Sequence, residues 1–100
     1  MNLVLWLQEW YRQNCNDQWE NFYGIKIETL DNPGWRVCID LKETKYENLT
    51  LKKVEKDRGI SDWITYEIVD GVFVGAGDCT KLGELLQAFR EQVENTSDSL

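Results

Sequence analysis

Apolar residues Leu3, Trp6, Leu7 and Trp10 recur every three or four positions, with Tyr11 and Arg12 following. That spacing predicts an amphipathic helix over residues 3–14, ended by Asn14-Cys-Asn-Asp17. After a short approach from Trp19 to Phe22 the period changes to two. Tyr23, Ile25, Ile27 and Thr29 share one face of a predicted strand over 23–30, and Lys26 and Glu28 share the other. Alternation resumes in Trp35, Val37, Ile39 and Leu41, which predicts a second strand over 35–41. Between the two stands Asn32-Pro33-Gly34. Pro33 presets φ at the second turn position, and Gly34 supplies the positive φ of a type II turn. Bringing both apolar sets to one face then requires Asp31 opposite Trp35, with a turn and a bulge residue between them.

Residues 42–48 are polar and read as loop, anchored by Tyr46. Leu49-Thr-Leu51 opens a third strand that reaches about Glu55 and ends in the charged turn Lys56-Asp-Arg-Gly59. The next hairpin has a stronger local signal. Asp70-Gly71 separates Trp63–Val69 from Val72–Gly75, the signature of a two-residue type I′ turn. Ile64, Tyr66, Ile68, Phe73 and Gly75 then share one face, where Gly75 and Gly77 leave room for a helix to approach. Asp78 or Thr80 can cap a last helix, whose stripe is Leu82, Leu85, Leu86, Phe89 and Val93. Gly83 weakens it by roughly 1 kcal/mol against Ala, tolerable where the helix crosses the sheet closely.

A helix, five strands and a helix define an α+β fold: an antiparallel meander sheet with the N-terminal and C-terminal helices packed on one face. The other face stays partly open and carries Lys26, Glu28, Arg36, Cys38, Asp40, Trp63, Thr65 and Glu67. Residues 1–94 form one expected domain and 95–100 a frayed polar tail.

Composition narrows the function. With 18 acidic and 11 basic residues the net charge is −7. That balance disfavours nucleic acid and anionic membrane surfaces, and it suits a basic protein partner. Cys15, Cys38 and Cys79 are odd in number and far apart, so a disulfide framework or zinc site is not expected. Reduced thiols, an apolar start lacking a basic segment, and no run of about 18 apolar residues together predict a cytoplasmic protein.

Several local patterns carry a family likeness. They are Trp10-Tyr11, Asp17-Gln-Trp19-Glu20, the run from Tyr23 through Leu30-Asp-Asn-Pro-Gly-Trp35, Ser61-Asp62-Trp63-Ile64 and Phe73-Val-Gly-Ala-Gly77. With the helix ending near Val93, they resemble the immunity protein 53 family of bacterial polymorphic toxin systems over residues 5–94. The resemblance implies a cytoplasmic protein that binds and silences a cognate toxin, and it implies no catalytic residues.

The residues themselves give little chemistry. The chain has no His, the commonest general base. Cys79 stands near a helix start, where a thiol is activated, but a Cys-x5-Arg anion loop would need Arg where Leu85 stands. Carboxylate pairs such as Asp17/Glu20 or Asp31/Asp70 are not tied to a pocket by any pattern. Gly75-Ala-Gly77 lacks the Lys and third glycine of a phosphate loop. No enzyme, cofactor or metal site is therefore expected.

Among the aromatics, Trp6, Trp10 and Trp35 lie on apolar stripes and are expected in the core. Trp19 fits both packing beneath the first helix and lining a binding surface, and Trp63 is expected to be exposed. The expected toxin contacts are Trp19, Glu20, Glu28, Asp31, Asp62, Trp63, Glu67 and Asp70. Trp10, Tyr23, Asn32, Pro33, Gly34, Trp35 and Gly71 are expected to be structural. The partner would be a basic toxin, such as a nuclease; the chain itself would be a monomer or a weak homodimer. The alternative is a small-ligand-binding or regulatory domain that uses the open sheet face.

Overall fold

Asn2 starts the first helix: its side-chain oxygen accepts from Leu5 N at 2.9 Å. The computed structural model describes residues 2–98, with side chains for 2–96. Helix α1 spans Leu3–Asn14 as the spacing predicts, and it buries Trp10 with Leu3, Trp6 and Leu7 packed around it. A tight turn follows in which Asn16 Oδ1 accepts from Gln18 N and Trp19 N, while the Glu20 carboxylate accepts from Asn16 N and Asp17 N. These reciprocal hydrogen bonds hold the turn that leads into a short helix the periodicity did not reveal, α2 over Trp19–Phe22. It drives Trp19 into the core.

Five strands follow, β1 (Ile25–Leu30), β2 (Gly34–Asp40), β3 (Leu51–Asp57), β4 (Trp63–Val69) and β5 (Val72–Gly77), and then α3 (Leu82–Asp98). All neighbours are antiparallel, in the order β1-β2-β5-β4-β3. The class is the α+β fold with terminal helices that the pattern predicts. The sheet is built from a hairpin and a three-stranded meander, joined where β5 pairs back onto β2. Residues 95–98 of the expected polar tail continue α3, and residues 99 and 100 lie outside the described residues.

The first hairpin keeps its predicted face but not its predicted turn. Thr29, rather than Asp31, stands opposite Trp35, and Leu30 stands opposite Gly34. The Asn32-Pro33 peptide is cis, and Gly34 has no positive φ. Gly34 is glycine for another reason: it is buried, and a Cβ there would run into the Gly77 carbonyl oxygen. The second hairpin is the predicted type I′ turn, with φ of 55° at Asp70 and 75° at Gly71.

One face carries the core. Val37, Ile39, Ile64, Ile68 and Phe73 are buried there against Leu85, Phe89 and Val93 of α3. Trp10 stands edge-on to Phe89, centroids 5.0 Å apart, and Phe89 meets Phe73 at 5.3 Å. Each such ring buries on the order of 150–250 Å² and favours this edge-to-face geometry. Gly75 and Gly77 allow the close approach: a Cβ on Gly75 would lie 2.7 Å from Leu85, and one on Gly77 2.6 Å from Lys81. Gly83 has no such reason, because nothing lies within 4 Å of its position.

Candidate protein-binding surface

The registers fix what the uncovered face presents. Lys26, Cys38, Val74 and Glu67 form one cross-strand row, and Glu28, Arg36, Ala76 and Thr65 form the next. The middle of this face is small and half-buried: Cys38, Thr65, Val72, Val74 and Ala76. Charge gathers toward its margins, where Arg36 Nη1 meets Glu28 Oε1 at 3.2 Å. The Thr65 hydroxyl is buried without a hydrogen-bond partner among the described residues.

One end of the sheet brings together the 31–33 turn, the 58–62 turn and the segment from Asp78 to Lys81. A polar clamp fastens it. Asp78 Oδ2 accepts from Trp63 N and Lys81 Nζ, both at 2.8 Å, and Oδ1 accepts from Thr80 N at 2.8 Å and Thr80 Oγ1 at 2.7 Å. Lys81 is 7% exposed, and its Nζ also reaches Asp62 at 2.9 Å, while Arg58 Nε holds Asp62 at 3.0 Å. Lys81, with help from Thr80 and Trp63, keeps the Asp78 carboxyl far below the usual carboxylate range. Asp78 and then Asp62 raise Lys81 above the ordinary lysine value. Arg58 and then Lys81 lower Asp62. The group is fully partnered, the condition under which a buried ion pair is tolerated.

Outside the clamp the same end offers a contact surface. A groove of about 310 Å³ is lined by Asn32, Asp57, Gly59, Ile60 and Trp63. Ile60 projects from the 58–62 turn with 92% of its surface exposed. An apolar side chain standing out beside a half-buried Trp and carboxylates has the composition of a binding anchor.

The expected contact residues separate accordingly. Trp19 is 1% exposed, packs on Trp10 and donates from Nε1 to Lys42 O at 3.1 Å, so it is a core residue and not a surface contact. Glu20 is taken up by backbone N–H groups, its own first and then those of Asn16 and Asp17, which lower its carboxyl. Asp62 is held by two cations and Glu28 by Arg36. The carboxylates of Asp31, Glu67 and Asp70 make no ion pair or side-chain hydrogen bond among the described residues. Asp31, Asp62 and Trp63 share the clamped end, Glu28 and Glu67 lie on the open face, and Asp70 lies at the opposite end of the sheet.

Of the structural set, Trp10 is buried, and its indole N–H has no partner among the described residues. Tyr23 and Trp35 pack on the core, Trp35 donating from Nε1 to Cys79 O at 3.0 Å. Asn32 and Pro33 are exposed turn residues. Gly71 is required by its positive φ and by Lys42 lying against it.

The clamp and Ile60 escaped the sequence reading. Asp78-x-Thr80-Lys81 reads locally as a cap, and its link to Asp62 is long-range. Ile60 carried one available signal, a lone aliphatic residue inside a polar turn. Among the described residues no three His, Cys, Asp or Glu side chains converge as a metal would require. No helix among them is long and apolar enough to cross a membrane.

Fold and surface together define a small α+β domain with a one-sided sheet and a partly acidic rim. The family model of immunity protein 53 matches residues 4–94, and the chain belongs to that family. Membership implies an immunity protein that binds a cognate toxin, and such families are generally non-enzymatic. The chain is also similar, at 30% identity over 69 residues, to a mitochondrial pentatricopeptide repeat-containing protein of Arabidopsis thaliana. That match covers 64% of this chain and spans only 14% of the plant protein's length. No solved structure matches.

Proposed function

We propose that this chain neutralises a cognate toxin with a basic surface, such as a nuclease, by covering the surface that the toxin turns to its own substrate. The proposed contact is the acidic end of the sheet with the adjoining open face. Asp31 and Glu67 would meet the toxin's cations, and Ile60 and Trp63 would exclude water at the centre. One observation carries this reading: carboxylates without an ion partner among the described residues, and a projecting Ile60, flank a sheet face that none of the three helices covers. Net charge −7 adds a field that would speed encounter with a basic partner. Action in the cytoplasm, where a toxin would arrive, belongs to the same proposal.

The small-ligand alternative gains little from the geometry. The larger grooves, of about 600 and 510 Å³, lie against the helices rather than on the open face. The thiol alternative gains no free cation from Lys81, two residues from exposed Cys79, because Lys81 is tied to Asp78 and Asp62.

Co-expression with the C-terminal toxin domain encoded beside this chain tests the function. Cells should survive only with the immunity chain present, and the two proteins should co-purify. Survival without a complex would exclude occlusion.

A further inference from the structure

The two edges of the sheet are unequal. Edge strand β3 is guarded in three ways: Lys52 and Lys53 form a bulge opposite the single residue Glu67, Lys56 points to the core side opposite Ile64, and the strand is rich in charge. These are the devices that keep a free edge from pairing. Edge strand β1 has no bulge and no charge on its core side, and its two charges, Lys26 and Glu28, both lie on the open face. Its sequence Ile-Lys-Ile-Glu-Thr-Leu runs without a bulge, and Ile27 is 42% exposed.

Gly24 O accepts from Asp40 N, so residue 24 turns its backbone toward β2. By the two-residue period, the N–H and C=O groups of Ile25, Ile27 and Thr29 face the open edge. Beside that edge lies an apolar groove of about 510 Å³, lined by Val4, Leu7, Tyr11, Ile25, Ile27 and Leu86 among others, with no charged residue in its lining.

We propose that a second copy of this chain pairs with β1, antiparallel, about a two-fold axis through Ile27. The sequence is self-complementary in that register. Ile27 meets Ile27 of the second copy on the groove side, and Ile25 meets Thr29. On the open face Lys26 falls opposite Glu28 of the second copy, and Glu28 opposite its Lys26. Because Glu28 already meets Arg36 at 3.2 Å, each row across the axis alternates in sign. An isologous contact of this kind joins two five-stranded sheets into one and closes the exposed edge. The uncharged groove is also where two chains of net charge −7 can approach with least repulsion. This inference concerns a different edge from the proposed toxin contact and stands or falls separately.

Charge swaps at Lys26 and Glu28 test it, both side chains being exposed. Sedimentation equilibrium of the full chain from micromolar to millimolar concentration should give a reversible dimer. Lys26→Glu sets two carboxylate pairs across the axis, and Glu28→Lys sets two ammonium pairs. Each variant alone should dimerise about tenfold more weakly or worse. An equimolar mixture of the two restores opposite charge in every pair and should recover the dimer mass. Amide exchange at Ile25, Ile27 and Thr29 should slow as the wild-type dimer forms. A wild type that stays monomeric throughout, a dimer indifferent to both swaps, or a mixture without recovery would overturn the proposal. Protection of these amides by added toxin alone, in a monomeric wild type, would assign the edge to the toxin and overturn it equally.

Discussion

Lys81 Nζ lies 2.8 Å from Asp78 Oδ2, and both side chains are buried where β4, β5 and the start of α3 meet. Asp78 has four donors around it and Asp62 has two cations, so the two carboxylates carry unequal structural weight. Asp78→Ala would strand Trp63 N, Thr80 and Lys81 together, and it should lower the denaturant midpoint more than Asp62→Ala does. Paired melts of the two variants check this, and an equal loss would contradict the ranking.

The same pair sets a pH dependence. Asp78 has a folded-state value lowered far below the unfolded one, so its contribution is present above the unfolded carboxylate range and is lost as pH falls toward the folded value. Lys81 is raised, so its contribution is present below the ordinary lysine value and is lost as pH rises through the folded one. Asp78→Asn should therefore flatten the fall in stability below about pH 4. Urea melts across that range, compared with wild type, provide the test.

Gly34 and Gly83 should respond in opposite directions. A side chain at Gly34 collides with the Gly77 carbonyl, so Gly34→Val should destabilise by about 1–3 kcal/mol. Gly83 sits in open space on α3 without positive φ, so Gly83→Ala should stabilise by about 0.5–1 kcal/mol. Thermal and denaturant melts of both variants measure it.

These glycines also show where the sequence was legible. Asp70-Gly71 announced its turn because positive φ is a local demand, met by local residues. Gly34 answers the adjacent strand β5, which is forty-three positions along the chain, so a local turn rule supplied the wrong reason for the right residue. Ridge spacing located α1 and the stripe of α3, and alternation put the apolar sets of the first hairpin on one face. The return of β5 onto β2 has no local signature, and the clamp at Lys81 joins the start of β4 to the end of β5 at residues fifteen or more positions apart. Trp19 was ambiguous because α2 is made by hydrogen bonds from Asn16 and Glu20 rather than by periodicity.

Trp19 and Trp63 should now part company. Trp19→Ala removes a buried indole and should destabilise the fold by about 3–5 kcal/mol. Trp63→Ala should leave the fold largely intact and weaken toxin binding by about 2 kcal/mol. Melts read beside toxin titrations separate the two.

Replacing Cys15, Cys38 and Cys79 together with Ser or Ala should leave toxin protection intact once any packing loss is allowed for, since no pairing joins them. A stably folded triple variant that no longer protects would bring the thiol back into the mechanism.

Toxin-binding kinetics at two ionic strengths test the central claim most directly, using wild type, Glu67→Lys and Ile60→Ala. A contact at the open face and acidic end predicts association that slows with salt, slows further and loses salt dependence in Glu67→Lys, and dissociation that quickens in Ile60→Ala. Salt-independent association, with neither substitution changing a rate, would contradict it.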